Sequence, residues 1–168
     1  MRGIAILVAA GVLVSACASQ PKVAAYKVPD TVRTDCYTVD LFDNFPIEEP
    51  APDVPAEYSK FLGDWAYGAW DNKWCHDLRI TKVHRDGRVE MIDMHAPYAP
   101  FAQPATAFKR VGRIGEDGKL RFAHGVERRT YEVVGDKLVG TRSGLYGDLH
   151  AVLAQRGGNG IKIAKAKN

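Results

Sequence analysis

From Phe61 to Arg156 the chain is cut into short pieces by closely spaced turn signals: Asp71-Asn72, Asp86-Gly87, Gly115-Glu116-Asp117-Gly118, His124-Gly125, Gly135-Asp136 and the stretch 143–147. Such pairs and clusters supply the left-handed backbone that tight hairpins need. The pieces between them predict eight strands, at about 61–70, 73–84, 88–95, 106–114, 119–123, 126–134, 137–142 and 148–156. None of them contains proline. Only 96–105 is a longer connection. Short connections force antiparallel neighbours. Eight such strands in sequence lose their open edges most simply by closing into an up-and-down barrel. The expected class is therefore all-β, with a two-sheet sandwich as the alternative. No window beyond the N-terminus carries a 3.6-residue period.

Period-2 alternation assigns the inward face. Phe61, Trp65 and Tyr67 share it in the first strand, Leu78 and Ile80 in the second, Val89 and Met91 in the third. Leu120 and Phe122, Tyr131 and Val133, then Leu149, Ala151 and Leu153 follow in strands five, six and eight. Strands four and seven alternate poorly, and their facing stays open. An eight-stranded barrel is just wide enough for side chains to fill it. So many large apolar residues argue for a packed core over a roomy cavity.

The first 60 residues read differently. Arg2 and the apolar run Ile4–Val14 have the length of a secretory signal, too short for a bilayer span. The run ends in Val14-Ser15-Ala16-Cys17, which resembles the lipobox of bacterial lipoproteins. That resemblance implies cleavage after residue 16 and acylation of Cys17, giving membrane attachment through lipid. Ala18 and Ser19, with no aspartate, imply the outer membrane, facing the periplasm. Six of the nine prolines lie between Pro21 and Pro55, and no glycine occurs between Gly11 and Gly63. Residues 17–34 are thus expected as a stiff, extended tether. Residues 35–59 are expected as a docked segment, in which Tyr37, Val39 and Leu41 alternate and Phe42 and Phe45 add apolar area, followed by an acidic, Pro-rich loop. Residues 60–156 form the barrel, and 157–168 a loose basic tail. Cys36 and Cys75 make an even pair in an oxidising compartment, which reads as a disulfide; two buried free thiols are the alternative.

Gly63-x-Trp65, opening an eight-stranded meander, resembles the signature of lipocalins and other calycins. The likeness implies that Trp65 plugs the barrel floor and that a basic residue of the last strand, here Arg156, packs over it. With Cys75-x-x-Leu78 and the terminal Gly147, Leu153 and Arg156, the pattern is also similar to the small metalloprotease-inhibitor barrels and the outer-membrane lipoproteins grouped with them. In that family an extended N-terminal segment enters a protease cleft.

Chemistry-bearing residues are present without a recognisable catalytic pattern. The five histidines (His76, His84, His95, His124, His150) match no zinc spacing. His76 and Asp77, adjacent on a strand, face opposite ways. Asp77 and Asp93 are the only carboxylate pair suggested for glycoside chemistry. No cofactor, metal or catalytic residue is expected. A net charge of +3 with no basic stripe gives no reason to expect a nucleic-acid partner. The tail lysines Lys162, Lys165 and Lys167 read as solvated. The best candidate surface is the 96–105 loop, where Tyr98 and Phe101 stand on a frame of three prolines, together with Trp70 and Trp74 at the first turn. Such aromatics anchor interfaces. The reading is a non-enzymatic binding module of the cell envelope, meeting an envelope protein. A protease inhibitor and a carrier of a small apolar ligand are the alternatives.

Overall fold

The computed structural model describes residues 26–29, 32, 35–36, 45–145 and 147–157. Eight antiparallel strands, β1 (Gly63–Trp70), β2 (Trp74–Val83), β3 (Arg88–His95), β4 (Thr106–Ile114), β5 (Leu120–His124), β6 (Glu127–Val134), β7 (Lys137–Gly144) and β8 (Gly147–Gln155), close in sequence order into one barrel. The barrel, not the sandwich, is thus the fold, a small closed one compatible with a lipocalin-like architecture. Asp71 and Asn72 both take positive φ, 47° and 58°, the left-handed backbone that turns the chain through residues 71–73 between the paired Trp70 and Trp74. Besides the strands, the described residues hold one four-residue helix, α1 (Ala56–Ser59), and a 3-10 turn at Ala99–Phe101.

The β2–β3, β4–β5 and β6–β7 connections gather at one end, which we call the floor. Inside it Phe61, Trp65, Leu78, Ile80, Val83, Val89, Met91, Ile114, Leu120, Leu138 and Leu153 form a continuous apolar core, with Val54 and Tyr58 beside α1 packed against it. Each such side chain contributes about 1.5–3 kcal/mol when fully buried. Trp65 is the plug: it is buried, and its indole nitrogen donates to the Phe61 carbonyl at 2.7 Å.

Two expectations for β1 are corrected. The β1–β2 register shifts between Trp65 and Gly68, and Tyr67 has φ of 65°. This bulge turns Tyr67 to the outer wall, where its amide donates to Asp77 Oδ1 at 3.0 Å, and brings Gly68 inward. Only glycine fits there, because a Cβ would lie 2.6 Å from the His76 carbonyl and 2.7 Å from Leu153 Cγ. Arg156 does not lie over Trp65. Its guanidinium pairs with Asp64 at 3.0 Å and Asp77 at 2.9 Å and covers the Tyr67 ring at 5.7 Å. Asp64 and Trp65 are consecutive on a strand and face opposite ways, so the basic residue sits on the other side of the wall from the plug.

The chain ahead of β1 forms a strap on that outer wall. Tyr26 stacks on His150 with centroids 4.3 Å apart. Val32 is buried among Val28, Tyr67, Val139, Val152 and Ala154. Cys36 and Cys75 form a disulfide with Cα atoms 5.3 Å apart. Docking therefore includes Tyr26 and Val32, inside the expected tether. It crosses the seam where β8 meets β1, a ladder that pairs only Trp65 with Gln155 and Ala66 with Ala154. Further on, Phe45 lies under Lys109, and the Glu48 amide donates to the Thr81 carbonyl at 2.8 Å. Cys17, Tyr37, Val39, Leu41, Phe42 and the lysine tail lie outside the described residues.

The bond closes a loop with a sequence separation of 39, which the chain-entropy relation puts at about 3–4 kcal/mol. The double variant Cys36→Ala/Cys75→Ala is expected to lose about that much in urea titration while keeping a β-type circular dichroism spectrum. An unchanged midpoint would show that the strap leaves the seam unaffected.

Candidate functional site

The other end of the barrel, where the β1–β2, β3–β4, β5–β6 and β7–β8 connections emerge, is its mouth. Cross-strand pairing fixes what faces inward there. His76 pairs with His95, Met91 with Arg110, Phe122 with Arg129, and Arg129 with Arg142. Members of a pair share a face. The inner wall towards the mouth thus carries His76, Asp93, His95, Arg110, Glu127, Arg129 and Arg142, above the apolar floor.

Asp93 is the hub, with no exposed surface. Its Oδ2 accepts from Arg129 Nη1 at 2.5 Å and lies 3.7 Å from Arg110 Nε. Its Oδ1 lies 3.2 Å from His95 Nε2 and 3.5 Å from His76 Nδ1. Nearer the mouth, Glu127 takes Arg142 and stands 3.5 Å from Arg129 Nη2. Exposure is graded: the side chains of Glu127, Arg110 and Arg142 are 26%, 17% and 15% exposed, whereas Arg129 and His95 are closed off. Burial alone would raise the Asp93 carboxyl, but His95, Arg129 and His76 outweigh it and hold the group below the ordinary carboxylate range. Burial pushes both imidazoles down, His76 well below the usual histidine value; for His95 the adjacent Asp93 opposes the fall. His76 is therefore neutral, donating from Nδ1 to the Met94 carbonyl at 3.1 Å and accepting the Tyr131 hydroxyl at Nε2 at 2.9 Å.

The rings stack into a column from mouth to interior. Centroid spacings are 5.3 Å for Tyr98–Trp74, 4.6 Å for Trp74–His95, 4.8 Å for His95–His76 and 4.9 Å for His76–Trp70. Gly140 makes room for its inner end, since a Cβ there would lie 2.7 Å from the Tyr131 ring and 3.3 Å from Trp70. Arg142 covers the Trp74 ring at 5.0 Å.

His76, Asp93 and His95 bring three potential ligand atoms within 4.8 Å of one another. A divalent ion would have to share that space with a guanidinium: Arg129 Nη1 lies 3.1 Å from His95 Nε2 and holds the same carboxylate. These inward positions also carry three guanidinium groups against two carboxylates, which favours an anion over a cation. The hydrogen bonding points the same way. Trp70 Nε1, Arg110 Nε and Arg129 Nε are buried donors without a hydrogen bond, Arg110 Nε reaching Asp93 Oδ2 only at ion-pair distance; His95 Nδ1 also lacks one, and Asp93 Oδ1, though close to two imidazoles, is poorly aligned with them. Each buried donor left unmade costs about 1–3 kcal/mol, so the cluster is short of acceptor oxygens. Asp93 beside His95 has the composition of a carboxylate-oriented base, but the imidazole is closed off between Trp74 and His76, at 3% exposure.

The expected surface aromatics divide. Trp70 is corrected: it is 1% exposed, at the inner end of the column, and takes no part in a surface. Trp74 and Tyr98 are half-buried in the mouth wall, Trp74 donating to the Ala96 carbonyl at 2.8 Å. Phe101 is exposed and meets Tyr98 edge-on at 5.3 Å. Sequence reasoning missed Asp93, His95, Arg110, Arg129 and Arg142 as a group. The available signal was the poor alternation of strands four and seven, whose inward positions hold Arg110, Gly112, Gly140 and Arg142. The chain matches no protein family, no curated protein and no solved structure.

The pH dependence of stability follows from the histidines. An unfolded chain protonates them below about pH 6.5; the folded barrel, with both values lowered, does not. Stability is expected to fall as pH drops from there, with Asp93 adding to the loss only at much lower pH. Urea midpoints between about pH 7.5 and 5 should decline in the wild type and decline less in His76→Gln, since the titrating group is gone. Separately, Arg129→Met leaves Asp93 without its main partner and is expected to cost about 3–5 kcal/mol, much of it restored by Asp93→Asn in the double variant.

Proposed function

We propose that this chain is a lipid-anchored lipoprotein of the bacterial outer membrane and that its barrel is a non-enzymatic binding module. Its working part is the mouth, which receives the anionic group of a small amphiphile. The observation that carries the reading is that Trp70 Nε1, Arg110 Nε and Arg129 Nε all lack a hydrogen-bond acceptor in the half of the barrel where inward guanidinium groups outnumber carboxylates. A carboxylate or phosphate oxygen satisfies guanidinium and indole donors with charge-assisted hydrogen bonds, the strongest ordinary kind. The partly exposed Arg110 and Arg142 lie where such a group arrives first, and Trp74, Tyr98 and Phe108 supply aromatic faces for the apolar part. This combines the binding-module and carrier readings of the sequence. It limits the carrier to a guest whose head enters, because the floor is filled with side chains.

The protease-inhibitor reading is less favoured. It needs an N-terminal segment free to leave the barrel, whereas Val32 is buried on the outer wall and Cys36 is bonded to Cys75. The lipoprotein part rests on the Val14–Cys17 motif and is tested by labelling cells with radioactive palmitate. Label in the wild type and none in Cys17→Ser is expected; label in neither would remove the anchor.

The binding site is tested by tryptophan fluorescence titration of the purified chain with decanoate, decyl phosphate and decyltrimethylammonium. The two anions are expected to change the emission of Trp74 and Trp70 saturably. Arg110→Gln/Arg142→Gln should weaken that binding at least about tenfold, the loss of roughly one charge-assisted contact. Equal binding of the cation, or indifference to the double variant, would sink the proposal.

A further inference from the structure

The barrel is asymmetric end to end. Eight large apolar side chains are exposed among the described residues. Phe101, Phe108, Val126 and Leu145 rim the mouth, and Tyr26 stands beside it on His150, whose backbone bonds the Asp71 turn. Leu145 is 80%, Val126 69% and Phe101 61% exposed. The floor-end turns expose Val134, at 43%, and otherwise carry ion pairs, Arg85 with Asp53, Arg113 with Asp86, and Arg121 with Asp117. A rim of apolar side chains on successive loops is a surface that water solvates poorly.

The chain itself says what covers it. Tyr26 of the strap lies at the mouth end, where it stacks on His150 near the start of β8. Cys17 lies nine residues before Tyr26. That stretch spans at most about 30 Å when fully extended, so a lipid on Cys17 keeps the mouth, the end from which the tether leaves, within about that distance of the bilayer. We infer that the mouth faces the bilayer, with Phe101, Val126 and Leu145 seated in the headgroup region. The inference rests on the reading of Cys17 as the anchor. Short tethering gives the rim a millimolar-range effective concentration of membrane, so a contact too weak to recruit a free protein suffices. It also identifies where the amphiphile comes from. An anionic head drawn from the bilayer surface enters among Arg142, Arg110 and Arg129 while its chain stays among the rim residues.

The test attaches the lipid chemically, so that it does not depend on acylation in the cell. In residues 17–168 Cys36 and Cys75 are bonded to each other, leaving Cys17 as the one free thiol for a maleimide phospholipid. The anchored chain is placed on vesicles of phosphatidylethanolamine and phosphatidylglycerol, with or without bromine on the acyl carbons nearest the headgroup. Leu145→Trp adds a reporter at the rim and Val134→Trp one at the floor end. Bromination is expected to cut the added emission of Leu145→Trp to about half and leave that of Val134→Trp unchanged, because the quencher acts only on rings at membrane depth. Phe101→Ser/Val126→Ser in the Leu145→Trp background should abolish most of the quenching. Equal quenching of the two reporters, stronger quenching at Val134→Trp, or none at either would overturn the inference; the last would leave the rim to a protein partner. Failure of palmitate labelling with quenching intact would remove the natural anchor but not the membrane-facing surface.

Discussion

A buried carboxylate holds the upper half of this barrel together. Asp93 is shared by Arg129, His95, His76 and, at longer range, Arg110. Without it, inward-pointing guanidinium groups would face one another across a space the width of a few side chains, at a desolvation cost of several kcal/mol each. Burial holds the two imidazoles neutral against the pull of that carboxylate, and they stack within the column that runs from Tyr98 to Trp70. The floor has no such dependence. It is apolar packing around Trp65, and its stability comes from area removed from water. The same strands thus run from an oily half into an ionic half, and the boundary falls at Tyr131, whose ring touches the core while its hydroxyl reaches His76.

Strand positions were legible because period-2 alternation and turn chemistry are local. β3 and β4 match the expected limits to the residue. Inward faces were legible wherever the inward residues are apolar. The bulge at Tyr67 was not, because it is set by the collision that any side chain at Gly68 would make with a neighbouring strand. The ionic cluster was hidden for a related reason. Arginine, histidine and aspartate on a strand read as solvent-facing, so Arg110 and Arg142 made β4 and β7 seem irregular when they were alternating correctly with the wrong chemistry. Only closure of the barrel shows that Asp93 on β3 and Arg129 on β6 share one interior, since these strands are not neighbours. Trp70 was misplaced for the same reason: a residue beside a turn looks exposed until the barrel closes around it.

The two halves divide the work. A filled floor gives rigidity and leaves no room for a ligand tail, while the mouth keeps polar groups that the protein alone does not satisfy. Native interiors rarely leave such groups unmade, and their gathering at the loop-bearing end joins the fold to the proposed anion. The disulfide strap belongs to this division too. Its described residues lie on the outer wall, holding β8 and β1 together without entering the space the mouth encloses.

The seam beneath that strap also bears on how the chain reaches this state. Hairpins β1–β2 through β7–β8 form from neighbours in sequence, but β1 meets β8 only across nearly the whole domain, as in the pairing of Trp65 with Gln155. Contacts of such high sequence separation are slow to form, because the loop entropy must be met before they return anything. Until they form, β1 and β8 are open edges and the arginine-bearing interior is wet. A strap already bonded at Cys75 carries Val32 on the same hairpin as β1, so the surface that receives Val152 and Ala154 is in place before β8 arrives. Oxidation of Cys36 and Cys75 would then act as a folding aid, shortening the search for the slowest contact in the molecule.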